Sequence, residues 1–288
     1  MVRALNGRGL ITLHKHLVRR VLLAVLTLVT LAFVTVKPTE SYAAFQHSIN
    51  RIVAWGGYSN AALKSAPPTE QQAKVVLTPA VKKQVGKKIE WNGSGAFVVN
   101  DNRPKLNAQI NSAPYAVNQV DSQGRAWRGD SWLNKTTRQY QNRMKTGNGA
   151  SEWRPAGFLQ VTHLTGGYSH AYDRGHLLGY ALVGGIQGFN ASESNPANIA
   201  TQTAWANEAR SSTSTGQNYY EGLVRRALDQ NHQVRYRVTD IYDGSNLVPS
   251  GAHIEALSKD GSLRINVFVP NVQNNISINY QTGEASPR

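Results

Sequence analysis

Two pairs of β-forming runs constrain this chain most. Ile89-Glu90-Trp91 and Ala96-Phe97-Val98-Val99 flank Asn92-Gly93-Ser94-Gly95, and Ile254 to Leu257 and Leu263 to Val269 flank Lys259-Asp260-Gly261. Glycine admits the backbone angles that a tight connection needs, so each pair reads as an antiparallel hairpin. Val234, Tyr236 and Val238 alternate with Arg235 and Arg237, the period-two pattern of a half-buried strand. Helical spacing falls in separate blocks. Ile199 to Arg210 carries Ile199, Ala200, Thr203, Ala206 and Ala209 as a stripe, and Gln217 to Asp229 carries Tyr220, Leu223, Val224, Ala227 and Leu228. Thr136 to Lys145 places Tyr140 and Met144 at helical spacing, and Phe158 to Val161 reads as a strand. Hairpins and helices in blocks predict an α+β fold with an antiparallel sheet.

The N-terminus has a different character. Arg3, Arg8, Lys15, Arg19 and Arg20 precede Val21 to Val36, an uninterrupted run of apolar residues and Thr. Small residues follow at Ser41, Ala43 and Ala44. This order reads as a signal peptide over residues 1–44, or as an uncleaved signal anchor with Lys37 reaching the interface. Either places the remainder outside the cytoplasm, secreted or held on the outer face of the cytoplasmic membrane. Residues 45–86 are expected to form a tether, partly helical or disordered, with a short helix over Phe45 to Trp55. Pro67-Pro68 breaks the tether. Residues 87–288 are expected to form the globular domain.

Composition narrows the chemistry. The chain has no cysteine, which removes disulfides, zinc–thiolate sites and thiol nucleophiles. Its formal charge is +14, and beyond residue 44 there remain 25 Lys and Arg against 16 acids, a net of +9. A basic domain of this kind suits a polyanion: nucleic acid, anionic lipid or an anionic wall polymer.

Asp173-Arg174-Gly175-His176 then supplies an acid, a fixed cation, a permissive backbone point and a titratable imidazole. Arg presents a planar fork of donors suited to phosphate. His can accept a proton near neutrality, and a carboxylate can orient its ring. Gly175 is expected to place Arg174 and His176 together at a bend. On the second helix Asn218, Glu221 and Arg225 share one face. On the first, Asn207 and Asn198 are nine residues apart, about half a rotation out of phase. Asn198 is therefore expected at or before the helix start, as a cap or as part of the site.

These residues carry a resemblance. Asp173 to Tyr180, Ser194 to Ala200, Gln202 to Asn207, and Gly216 to Glu221 with Arg225 resemble the DNA/RNA non-specific endonucleases of the ββα-metal (His-Me finger) class. The competence DNA-entry nucleases and related secreted enzymes look most similar. The resemblance implies a central antiparallel sheet flanked by helices and a nuclease domain over residues 87–288. It also implies hydrolysis of DNA and RNA without sequence preference. His176 would be the general base. Asn207 would be the one direct protein ligand of Mg2+, with Mn2+ as a substitute, and Glu221 would hold the metal through water. Arg174 and Arg225 would lie near the scissile phosphate, with Asn198 in support.

Two other readings use parts of the same pattern. His170, Asp173 and His176 form a His/carboxylate set suited to zinc, but that leaves Asn207, Glu221 and Arg225 without roles. A non-catalytic DNA receptor for uptake would use the basic surface alone. There is no Gly-x-Ser-x-Gly, P-loop or His-Glu-x-x-His string to support a serine hydrolase, NTPase or zincin.

Overall fold

The computed structural model describes residues 66–149 and 152–288. The expected signal segment and the short helix at Phe45 to Trp55 lie outside the described residues. The described chain opens with two short helices, α1 (Glu70–Lys74) and α2 (Pro79–Val85). Thr69 and Gln72 form a reciprocal capping box at α1, while Thr78 caps α2 and Pro79 occupies its first turn. Ala73 of α1, Val81 and Val85 of α2, and Val76 and Leu77 between them are buried against Phe97, Val99, Ile241 and Phe268. This corrects the tether expected through residue 86. The packed unit already includes α1 and α2, because their apolar stripe finds a sheet face to cover.

The frame is a seven-stranded antiparallel sheet. Its strands are β1 (Ile89–Trp91), β2 (Phe97–Val99), β3 (Tyr115–Val120), β4 (Ala126–Leu133), β7 (Val234–Ile241), β8 (Gly251–Ser258) and β9 (Arg264–Pro270), in the order β1-β2-β9-β8-β7-β4-β3. Both expected hairpins are present, as β1–β2 and β8–β9. On β7, Val234, Tyr236 and Val238 are fully buried. Arg235 and Arg237 point to the opposite face and share Asp130 of β4 as an ion-pair partner.

The strands that position the site, β5 (Tyr172–His176) and β6 (Ile199–Thr203), pair antiparallel outside this sheet, with His176 opposite Ile199 and Arg174 opposite Thr201. Short α3 (Tyr180–Val183) follows β5, and α4 (Ala204–Glu208) follows β6. Helix α5 (Gln217–Asp229) buries Tyr220, Val224, Ala227 and Leu228 in one core with Tyr236, Val238 and Ile254. Val224 and Leu228 are fully buried, worth about 1.5–3 kcal/mol each by area. Two short strands, β10 (Ile276–Ile278) and β11 (Ala285–Pro287), pair near the C-terminus.

Three local expectations are corrected. Ile199 to Arg210 is not one helix: all five residues of β6 are buried in the pairing with β5, and Thr203 then caps α4 by accepting from Ala206 N. Thr136 to Lys145 has no α-helix. It holds 3-10 turns at Lys135–Thr137 and Arg143–Thr146, nucleated by the side chains of Asn134 and Asn142. Tyr140 and Met144 stay exposed, so there is no apolar stripe to bury. Phe158 to Val161 is irregular chain, in which the Gln160 side chain accepts from the backbone of Ala171 and Tyr172.

Candidate active site

Asp173 to His176 lies within β5 rather than at a bend. Gly175 is required there for a different reason than expected. A β-carbon on it would fall 2.2 Å from Oε1 of Gln202, so glycine allows β5 to close onto the Gln202 side chain. Gln202 donates to Gln217, and Gln217 donates to the backbone carbonyl of His176 and to Glu221. Strand β6 is tied down by Asn271. Its side chain accepts from Thr203 N at 2.7 Å and donates to Thr201 O at 3.0 Å.

This scaffold lines an open cleft of about 700 Å³ with His176, Arg174, Asn207, Glu221 and Arg225. His176 is only 8% exposed, and its Nε2 lies 3.3 Å from the carbonyl of Ala191. That carbonyl can only accept, so Nε2 carries the proton and Nδ1 keeps the lone pair. Burial, with the charge of Arg143 added, holds the imidazole down at about 3 and therefore neutral. The orienting carboxylate expected for His176 is not Asp173. Asp173 accepts instead from His170 at 2.8 Å and from Asn207 Nδ2 at 2.9 Å.

Glu221 is 9% exposed, and burial pushes its carboxyl up against the opposing charge of Arg225. Arg225 donates to Glu221 Oε2 at 3.2 Å and to Asn218 Oδ1 at 2.7 Å, as the shared helix face predicts. Arg174 donates to Trp153 O at 2.7 Å, and its guanidinium lies 5.5 Å from the centre of the Phe158 ring.

Asn198 caps no helix. It is completely buried before β6, accepts from Leu178 N at 3.0 Å and donates to Leu178 O at 3.1 Å. It is absent from the cleft lining and staples the chain just beyond His176. The zinc set of His170, Asp173 and His176 does not assemble either. Among the described residues, the His/carboxylate group close enough to share an ion is His170, Asp173 and Glu208.

Sequence reasoning missed Arg143. It lines the cleft, pairs with Glu193 and lies 5.3 Å from the centre of the Tyr180 ring. Its charge also acts on both His176 and Glu221. The sign in the sequence was a cation between Tyr140 and Met144, whose helical spacing pointed to a helix instead.

The model of the DNA/RNA non-specific endonuclease family matches residues 95–285, which is more than half of the chain and contains every residue of the cleft described above. The chain belongs to that family. It is a nucleic-acid hydrolase with a ββα-metal fold. Among solved structures, this nuclease is similar to NucA from Streptococcus agalactiae with magnesium bound, with 41% identity and a TM-score of 0.71 over 76% of this chain and 99% of that one. The metal-free form of NucA gives 40% identity and a TM-score of 0.68 over 78% of this chain and all of the other.

The nuclease also offers donors that fit a divalent cation. The amide of Asn207 gives its N–H to Asp173, which leaves Oδ1, a hard oxygen that could serve a cation, without that partner. Glu221 adds a buried carboxylate on the same cleft. One neutral oxygen and one carboxylate suit Mg2+, which keeps most of its water.

Proposed function

We propose that this nuclease is an extracytoplasmic, Mg2+-dependent endonuclease that cuts DNA and RNA without sequence preference, secreted or anchored through residues 1–44. The observation that carries this reading is the convergence of His176, Asn207 and Glu221 on one cleft with Arg143, Arg174 and Arg225. Asn207 would hold the metal directly and Glu221 would hold it through water, with Mn2+ able to substitute. When bound, the ion supplies positive charge to the phosphodiester and its leaving oxygen.

The protein's own groups do the rest. His176 stays neutral because it is buried, and Nδ1 takes the proton of the attacking water. The Ala191 carbonyl fixes the ring by its hold on Nε2. Arg174 and Arg225 sit along the cleft as phosphate-binding cations, and Arg143 joins them. Asn198 keeps Leu178, and so the chain after His176, in place. Contacts of this type address the sugar–phosphate backbone and carry no base identity, which supports sequence-indifferent cutting. The NucA structure with magnesium supports the choice of metal.

Circular plasmid is the substrate that tests this. The expected result is nicking and linearisation with Mg2+, no cutting in EDTA, and loss of cutting in Asn207→Ala. A folded sample that leaves plasmid intact at every metal concentration overturns the proposal.

A further inference from the structure

We propose that Asp173 is a positioning residue that selects which end of the Asn207 amide faces the metal, and that His170 holds Asp173 in place to do so. The inference rests on the reading of Asn207 as the metal ligand. A carboxamide can sit in either of two orientations that differ only in exchanging O for NH2. For a metal ligand the choice is decisive, since one orientation offers a lone pair to the cation and the other offers N–H. Helix α4 alone does not make that choice.

The hydrogen bonds do. Oδ2 of Asp173 lies 2.9 Å from Asn207 Nδ2. An ionised carboxylate only accepts, so it forces the amide nitrogen inward and leaves Oδ1 for the cleft. The other oxygen of Asp173 is committed as well, because His170 Nε2 lies 2.8 Å from Oδ1. The Asp173 carboxylate therefore cannot rotate without losing a partner. His170 is fixed in turn through the isolated bridge of its backbone to Thr162, and Glu208 Oε1 lies 3.5 Å from its Nε2. Both Asp173 and Asn207 line the cleft, while His170 stands behind them and bonds Asp173. Outer partners of this kind commonly set metal affinity by about 10–100-fold.

The arrangement allows a polarity swap as its test. In Asp173→Asn, with His170 still donating from Nε2 as it does to the carboxylate, the new amide gives its oxygen to His170 and its N–H to residue 207. Asn207 must then turn its own oxygen inward and present N–H to the ion. In Asp173→Asn with Asn207→Asp, residue 207 accepts from the new amide and again presents oxygen, with the net charge restored. Mn2+ binding to the full chain, read by electron paramagnetic resonance, follows each variant alongside thermal melting. Asp173→Asn is expected to bind Mn2+ about 10–100-fold more weakly at near-normal melting temperature. The double variant is expected to recover most of that loss, which a merely structural role for Asp173 does not provide.

Wild-type Mn2+ affinity in Asp173→Asn, with Asn207→Ala clearly impaired, overturns the positioning role and leaves the metal reading intact. Unchanged affinity in Asn207→Ala overturns the metal reading and this inference with it. If Asp173→Asn fails to fold, His170→Ala carries the test. A several-fold loss is expected there, and wild-type affinity overturns the proposal.

Discussion

The α-carbon of Gly179 faces the carboxylate of Glu221 so closely that a β-carbon would lie 2.6 Å from both of its oxygens. Gln217 and Arg225 hold Glu221 in that position, so moving its carboxylate breaks their hydrogen bonds. Gly179→Ala is therefore expected to displace the carboxylate and lower kcat at least tenfold. The stability cost should stay within about 1–3 kcal/mol, as for other overpacked sites. Steady-state kinetics and thermal melting on one sample check this. Wild-type kcat with a normal melt means the carboxylate tolerates the shift and does not need its observed position.

His176→Gly removes the imidazole and leaves a space that a diffusible base can enter. Loss of a general base costs about 10²–10⁴-fold in rate. The variant is expected to fold, bind DNA and regain part of its rate with added imidazole, following the pH profile of the free base. Asn207→Ala should gain nothing from imidazole. A His176→Gly protein that cuts at the wild-type rate removes His176 from the mechanism.

Asp240 is buried beneath the β5–β6 pair, and desolvation alone pushes its carboxyl up from 3.8 to about 8. Between those values the folded chain keeps a proton that the unfolded chain releases, so this group lowers stability as pH rises through that window. Asp240→Asn removes the proton uptake. It is expected to gain on the wild type from pH 4 to pH 8, by on the order of a few kcal/mol at the upper end. Denaturant titrations at several pH values check the trend. A difference that is flat with pH means Asp240 is ionised in the folded protein.

Arg143 faces the cleft from a 3-10 turn and also pairs with Glu193. A charge-assisted hydrogen bond to a phosphate is worth about 1.5–3 kcal/mol. Arg143→Ala is expected to lower kcat/KM by about 10–100-fold and to flatten the salt dependence of DNA binding. Kinetics equal to those of the wild type assign Arg143 to the Glu193 pair alone.

Local periodicity was enough for the hairpins, for α5 and for the shared face of Asn218, Glu221 and Arg225, because spacing along one strand or helix dictates which side chains are neighbours. Motif resemblance added the roles expected of His176 and Asn207. Segments that rely on partners far along the chain escaped. Ile199 to Thr203 has an apolar spacing that suits a helix, yet pairing with β5 holds it extended. A carboxylate was expected to orient the His176 ring, but the Ala191 carbonyl takes that part, and Asp173 bonds Asn207 and His170 instead. Arg143 reaches the site only through a turn with no apolar pattern. Hydrophobic periodicity records what each element buries. Which polar atom meets which, across segments distant in sequence, depends on how the elements pack, and no short-range pattern encodes it.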